Sequence, residues 1–327
     1  MTPRHRFRLG DVALVLDTHD ADLRERFLLL WGESVAPYDP AVHEIELTTR
    51  LNGPEVRVTF DGAPAIDLAS FLRAVFPERG HEAITSSDGA RVRIPLGDGA
   101  EATGPADGTM LEAAANSAWR PFVANLGISR AISAQQGTLF FHAASVRVGQ
   151  GALLACGPKR SGKTTLATSL GLRGHGVYGD ELAAIRIAGG ELLPVRRSLA
   201  IRDGPAATGA RAALERLRAP SETFPDGESR ARASVAALLG VGAPASQPLT
   251  AVFLLRSFSK APIAQLVPSS AEIVAAMTPL GASLWGRAAG RVLIDLLRLL
   301  APTRIFLLDS GPPDDTAALV EQLMETA

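Results

Sequence analysis

The residues best suited to chemistry stand together in one stretch, Gly157-Pro158-Lys159-Arg160-Ser161-Gly162-Lys163-Thr164-Thr165. It fits the pattern G-x-x-x-x-G-K-[ST]. In such a loop the backbone N–H groups form a concave array of donors, and the helix that follows adds the partial positive charge of its N-terminus. Lys163 would then reach the outer phosphates of a nucleotide, and the Thr164 hydroxyl would ligate Mg²⁺. Lysine usage singles out the same place. Of the 33 basic residues only three are lysines, Lys159, Lys163 and Lys260, and two of them lie in this loop. A compact ammonium suits a phosphate.

The pattern needs a strand before it and a helix after it. Gly151–Cys156 is a short apolar run that predicts a buried strand. Thr164–Arg173 has helix-forming composition and stops at Gly174, a C-cap signal. Two further features add chemistry. Asp180-Glu181 follows the short strand Val177-Tyr178-Gly179, the next element after the loop helix. Consecutive elements are usually neighbours in space. Phosphoryl transfer uses one carboxylate near Mg²⁺ and, in a kinase, one that orients or deprotonates the acceptor hydroxyl. His142, in Phe140-Phe141-His142-Ala143-Ala144-Ser145, lies on the strand preceding the loop strand. It reads either as a half-buried structural histidine or as a group beside the phosphates. Arg196-Arg197 is placed at the surface by default, although an arginine there would pair with a phosphate.

Composition bounds the remaining classes. With 327 residues, 46% apolar and 20% charged, the chain is an ordinary globular protein of about two domains. A formal net charge of −1 offers no field to recruit nucleic acid or an anionic membrane. Cys156 is the only cysteine, which excludes an internal disulfide and a cysteine-based metal cluster; it reads as a small buried apolar residue. The basic start, Met1–Arg8, is not followed by an uninterrupted apolar segment, and Val292–Ala301 is broken by Asp295 and Arg298. A cytoplasmic protein with no membrane span is expected, with self-association open.

Along the chain, Phe7–Leu16 reads as a strand, Asp20 as the cap of a helix through Trp31, and Glu44–Leu51 with Glu55–Phe60 as a hairpin around Asn52-Gly53-Pro54. A helix over Asp67–Phe76 and a strand over Ala90–Leu96 complete a small α/β domain, 1–108, whose role the sequence leaves open. Gly99–Gly108 is the linker candidate. In the second domain, 109–327, a helix is expected over Met110–Ser133 with a bend near Pro121. Thr138–Val148 and Ala152–Cys156 form a hairpin, and Gly176–Ile187 with Glu191–Val195 another. Residues 203–246, with Arg211, Arg216, Arg218, Arg230 and Arg232, read as a solvated helix-and-loop region. The alternative is a mobile lid carrying an arginine to the phosphate. A strand at Ala251–Arg256, helices at Ala271–Met277 and Trp285–Leu300, a strand at Arg304–Asp309 and a helix capped by Asp314 close the chain.

A strand with His142, a hairpin, the Gly157–Thr165 loop, a helix ending in Arg173-Gly174-His175, and a strand carrying Asp180-Glu181 together resemble the core of HPr serine kinase. The resemblance covers about residues 138–200. It extends weakly through Pro302–Leu323 to HPr kinase-related proteins of bacterial biosynthetic clusters, including kinases of lasso-peptide precursors. It implies an α/β fold with a C-terminal domain related to the nucleotide-binding core of phosphoenolpyruvate carboxykinase. It also implies a phosphotransferase using ATP and Mg²⁺ on a serine or similar hydroxyl of a peptide or protein. By the same likeness Gly157, Lys159, Arg160, Ser161, Gly162, Lys163, Thr164 and Thr165 hold the nucleotide. Thr164, Asp180 and Glu181 would hold the metal, and Asp180, His142 and Lys163 would be catalytic. The family usually carries a second aspartate where this chain has Glu181. A small-molecule kinase, a regulatory ATPase whose only acceptor is water, and a nucleotide sensor that turns nothing over use the same loop. The guanine motif [NT]-K-x-D and the transporter signature L-S-G-G-Q are both absent.

Overall fold

The computed structural model describes the chain except residues 1–3, 77–81, 98, 117, 224–226, 271–272, 275–276, 278–288 and 326–327. The backbone falls into two compact units: one contains Met1–Leu29 and Val35–Gln136, the other Leu30–Ser34 and most of the chain from Gly137 onward. Both are mixed α/β.

The first unit opens with the hairpin β1 (His5–Leu9) and β2 (Val12–Thr18), which replaces the single strand expected there. The turn is made at Gly10, whose φ of 67° a β-branched residue would resist. Helix α1 (Ala21–Trp31) starts as expected, with Asp20 Oδ1 accepting the Leu23 N–H at 2.7 Å. Strands β3 (His43–Asn52) and β4 (Glu55–Asp61) form the expected hairpin, and α2 (Leu68–Val75) is capped by Asp67. Then come β5 (Ile84–Thr85), β6 (Arg91–Gly97), β7 (Ala100–Pro105), β8 (Met110–Ala114) and α3 (Trp119–Ser133). Among the described residues the sheet order is β1-β2-β3-β4-β8-β7-β6-β5.

Two expectations fail here. The Gly- and Ala-rich segment whose composition predicts a linker carries β7, whose buried Ala100 and Ala102 alternate with Glu101 and Thr103. Its small residues serve packing: a Cβ on Gly104 would sit 2.2 Å from the Met110 carbonyl oxygen. Met110–Ala114, good helix formers, pair as a strand with β4 and β7, so tertiary pairing overrides propensity. Pro121 lies in the first turn of α3, where its missing N–H has no helical partner to lose. The compact units part between Gln136 and Gly137.

The second unit runs β9 (Thr138–Phe141), β10 (Ala144–Val148), β11 (Gly151–Cys156), α4 (Lys163–Leu172), β12 (Gly176–Gly179), β13 (Ala183–Arg186) and β14 (Glu191–Leu193). It continues through β15 (Leu199–Arg202), α5 (Pro205–Leu217), β16 (Ser221–Thr223), β17 (Ser229–Ala233) and α6 (Val235–Leu239). It ends with β18 (Gln247–Phe258), β19 (Ile263–Val267), α7 (Ala289–Leu300), β20 (Arg304–Ser310) and α8 (Pro313–Glu325). The main sheet follows β12-β10-β11-β18-β14-β13-β9, with β20 beside β18 and β19 beside β20. Strands β11, β18 and β20 are parallel, and nearly every residue of β11 is buried, as parallel centre strands require. The region 203–246 is not merely helix and loop: β15, β17 and β16 make a small antiparallel sheet. The helix expected at 271–277, and the start of the one expected from Trp285, lie largely outside the described residues. Asp314 sits inside the first turn of α8 instead of capping it; there the Thr316 hydroxyl accepts the Gly311 N–H at 3.0 Å.

The core that seats the loop is built around α4. Leu166, Ala167 and Leu170 pack with Val146 and Leu153 of the sheet, with Val235 and Leu238 of α6, and with Val320 of α8. Phe253 and Phe306 stack at 5.0 Å between centroids across the β18–β20 pair.

Candidate functional site

Strand β11 and helix α4 meet through Gly157–Gly162, giving the strand–loop–helix arrangement that the motif requires. Two glycines are dictated by geometry. A Cβ on Gly157 would lie 2.5 Å from Ser161 Oγ and 3.0 Å from the Leu255 carbonyl oxygen. Gly162 caps α4 with a φ of 98° and supplies no side chain to the helix N-terminus, so the first N–H groups of α4 face the loop. Arg160, with φ 70°, adopts the same left-handed region and ion-pairs with Glu228. Lys159 and Arg160 are exposed, Ser161 and Thr165 half-buried. The Ser161 hydroxyl oxygen is itself buried, with no hydrogen-bond partner among the described residues.

Lys163 is the first residue of α4 and is 7% exposed. Its ammonium folds back into the loop and donates to the carbonyl oxygens of Gly157 at 2.7 Å and Pro158 at 3.0 Å. Burial pulls it below the usual lysine range, with Asp180 and Glu181 opposing that fall. The neighbouring Thr164 hydroxyl donates to Asp180 Oδ2 at 2.7 Å, which joins the loop to the acidic pair.

Strand pairing explains how the acids and His142 arrive together. The strand expected over Thr138–Val148 is broken at His142-Ala143: β9 pairs with β13, whereas β10 pairs with β11 and β12. The segment Gly176–Ile187 breaks in the same way, at Asp180–Leu182. Phe141 is opposite Ala183 and Ser145 opposite Gly179. The two breaks therefore lie side by side, and both put His142 and the Asp180-Glu181 pair outside the regular ladder. His142 is exposed in this gap. The surrounding protein pulls its imidazole below the ordinary value; Glu181 opposes the fall, and the cations Lys163 and Arg197 add to it.

The adjacent acids have opposite electrostatics. Asp180 is 8% exposed; burial, together with the charge of Glu181, pushes its carboxyl up from 3.8 to about 6, against the Thr164 hydrogen bond and the charges of Arg197 and Arg232. For Glu181 burial works in the same direction, but Arg197, His142 and Arg232 outweigh it and hold the carboxyl below its usual range. Arg197 forms the direct ion pair with Glu181.

The surface position expected for Arg196-Arg197 is wrong. Arg196 is 1% exposed and donates to Glu33 Oε1 at 3.0 Å and to the carbonyl oxygens of Val177, Gly242 and Val241 at 2.7, 2.5 and 3.2 Å. Arg197 lies with its guanidinium carbon 5.7 Å from the centroid of Trp31. Arg232, on β17, is also buried; it pairs with Glu222 at 2.8 Å and donates to the Ser198 carbonyl oxygen at 3.2 Å. Its charge is felt by both acids. Of the arginines in 203–246, this one lies within electrostatic reach of the acids because β17 pairs with β15, which follows Arg197 directly. Cys156 is fully buried, and burial pushes its thiol up to about 12, so it is no nucleophile.

Lys163 and Asp180 are thus both buried and electrostatic neighbours, yet among the described residues neither forms a salt bridge. Buried charges are ordinarily paired or bound to a metal. The donor set suits Mg²⁺, which takes one or two protein oxygens together with phosphates and water: here the Thr164 hydroxyl and the Asp180 carboxylate. No group of three or more His, Cys, Asp or Glu side chains fit to hold a metal occurs among the described residues.

The class this site defines is a mixed α/β unit with a glycine-lysine loop between a buried strand and a helix, faced by a carboxylate. No protein-family model matches the chain, and neither does any curated protein. Among solved structures the chain is similar to the HPr(Ser) kinase/phosphatase from Coxiella burnetii, with 13% identity, a TM-score of 0.30, and 59% of this chain and 90% of that chain covered. Among the described residues no helix is long and apolar enough to cross a membrane.

Proposed function

We propose that the second unit is an ATP- and Mg²⁺-dependent kinase that transfers the γ-phosphate to a hydroxyl, a serine of a peptide or protein being the preferred acceptor. The observation that carries the proposal is the buried, mutually unpaired Lys163 and Asp180, joined through Thr164. A magnesium–nucleotide complex supplies the missing partner of each: phosphate for the ammonium, cation for the carboxylate. When bound, Mg²⁺ neutralises charge on the β- and γ-phosphates.

In this reading the N–H groups of the Gly157–Thr165 loop and Lys163 hold the phosphates. Thr164 and Asp180 hold the metal, with Glu181 beside it. The acceptor hydroxyl attacks the γ-phosphorus in line, the bond to the β,γ-bridging oxygen breaks, and ADP leaves with that oxygen. The hydroxyl proton passes to the Asp180 carboxylate, which orients the acceptor. His142 lines the same gap, and Arg197 and Arg232 add positive potential around the acids. The regulatory-ATPase alternative uses the same loop but leaves Asp180 to orient water.

Incubation with γ-labelled ATP and a pool of candidate peptides and proteins, followed by mass spectrometry of the labelled species, tests the proposal. Label on a serine or other hydroxyl, lost in Lys163→Ala, supports a kinase. Equal labelling by Lys163→Ala, or label released only as free phosphate whatever is added, defeats it.

A further inference from the structure

Helix α1 ends at Trp31, and the next residues, Gly32–Ser34, make a single 3₁₀ turn. Leu30–Ser34 belongs to the second unit, although the rest of that unit begins only at Gly137. This short segment grips residues 196–198 at successive backbone positions. The Leu30 carbonyl oxygen accepts the Ser198 N–H at 2.8 Å. The Ser34 hydroxyl donates to the Arg196 carbonyl oxygen at 2.8 Å and accepts the Arg196 N–H at 3.1 Å. Glu33 accepts the Arg196 guanidinium at 3.0 Å, and its carboxylate also accepts the Val235 and Ala236 N–H groups of α6 at 2.5 and 3.1 Å.

Between the two gripped positions stands Arg197. One side of it faces the Trp31 ring, which is itself 3% exposed, and its guanidinium pairs with Glu181. Arg196 meanwhile donates to the Val177 carbonyl oxygen of β12, the strand that leads into Asp180. An arginine on a flexible stem holds a carboxylate in place only when its own position is fixed. Here the fixing contacts come from a segment more than 160 positions away in sequence.

We propose that Trp31, Glu33 and Ser34 are positioning residues for the acidic pair: they clamp residues 196–198 so that Arg197 holds Glu181 at the metal side of the site. The inference rests on the kinase reading for what Glu181 does, but the clamp is a property of the fold and has its own readout. A residue acting through Glu181 changes the magnesium dependence of nucleotide binding. A residue that merely fills the core changes stability.

The test titrates Mg²⁺ into the full-length protein with a fluorescent N-methylanthraniloyl derivative of ATP. It compares wild type, Trp31→Leu, Trp31→Phe and Lys163→Ala, and records thermal midpoints in parallel. Replacing the aromatic face by an aliphatic one removes a cation–π contact, and the half-saturating Mg²⁺ concentration should rise about 5- to 30-fold in Trp31→Leu. Trp31→Phe keeps an aromatic face and should stay within about twofold of wild type. Binding of the nucleotide in EDTA should match wild type in both. A half-saturation in Trp31→Leu within about twofold of wild type overturns the proposal, as does an equal rise in Trp31→Phe, which would assign Trp31 to packing alone. If Trp31→Leu does not fold, Ser34→Ala decides: a rise of about threefold or more supports the clamp, and none overturns it. Lys163→Ala separates the two levels, because unimpaired nucleotide binding there sinks the kinase reading whatever Trp31 does.

Discussion

Replacing Asp180 by Asn should make the second unit more stable, and only above a definite pH. Asn keeps the carbonyl oxygen that accepts the Thr164 hydroxyl but carries no charge. The native carboxyl titrates at about 6, against 3.8 for an ordinary aspartate. A folded-state value raised above the unfolded one means that the protonated form stabilises the fold at low pH. That contribution is lost as pH rises from the unfolded value through the folded one. The difference of roughly two units, at 1.36 kcal/mol each, makes the ionised Asp180 of the unliganded protein cost about 3 kcal/mol at pH 7 and above. Asp180→Asn should recover most of that at pH 8, about half near pH 5 and very little at pH 4. Thermal or urea unfolding of both proteins between pH 4 and 8, with and without Mg²⁺ and a nonhydrolysable ATP analogue, reads the effect directly. Adding the magnesium–nucleotide complex should reverse the order, because it stabilises the wild type through Asp180 and has no charge to meet in the variant. A variant less stable than wild type by the same margin at every pH would refute the reasoning. Asp180 would then be a structural hydrogen-bond acceptor and not a charge held for a ligand.

Other consequences can be checked with simpler assays. Gly157→Ala places a Cβ 2.5 Å from Ser161 Oγ and 3.0 Å from the Leu255 carbonyl oxygen, so the loop must shift. Affinity for Mg-ATP, measured by calorimetry, should fall about tenfold or more while the unfolding midpoint moves only a few degrees. Arg196→Met leaves the Glu33 carboxylate short of its cation and three carbonyl oxygens without their donor. It should lower the stability of the second unit by about 3–5 kcal/mol in urea unfolding. Cys156, fully buried with its thiol pushed up to about 12, should resist iodoacetamide at pH 8 in the folded protein and react readily in urea, as mass spectrometry would show.

The parts of the fold that could be read in advance are those that a few consecutive residues decide. Asp20 and Asp67 announce the starts of α1 and α2 because a carboxylate three residues before a free N–H caps it wherever the rest of the chain lies. Asn52-Gly53 announces the β3–β4 turn because few residue types tolerate its backbone. Where composition was the guide, it misled. Ala, Gly and Pro in 99–108 resemble a linker but line a closely packed strand, and Met110–Ala114 prefers a helix until β4 and β7 offer it two partners.

The site divides along the same line. By itself the sequence determined the Gly157–Thr165 loop, its strand and helix, and the order in which the acids follow, since each depends on neighbours within a few residues. Only the tertiary structure decided which acid turns to Thr164 and which to Arg197, and that β9 and β12 both break beside the loop. It also decided that Arg196, expected at the surface, is held by Glu33 and Ser34. Those outcomes depend on strand pairing and on contacts between residues up to 163 positions apart, and no local pattern along the chain records them.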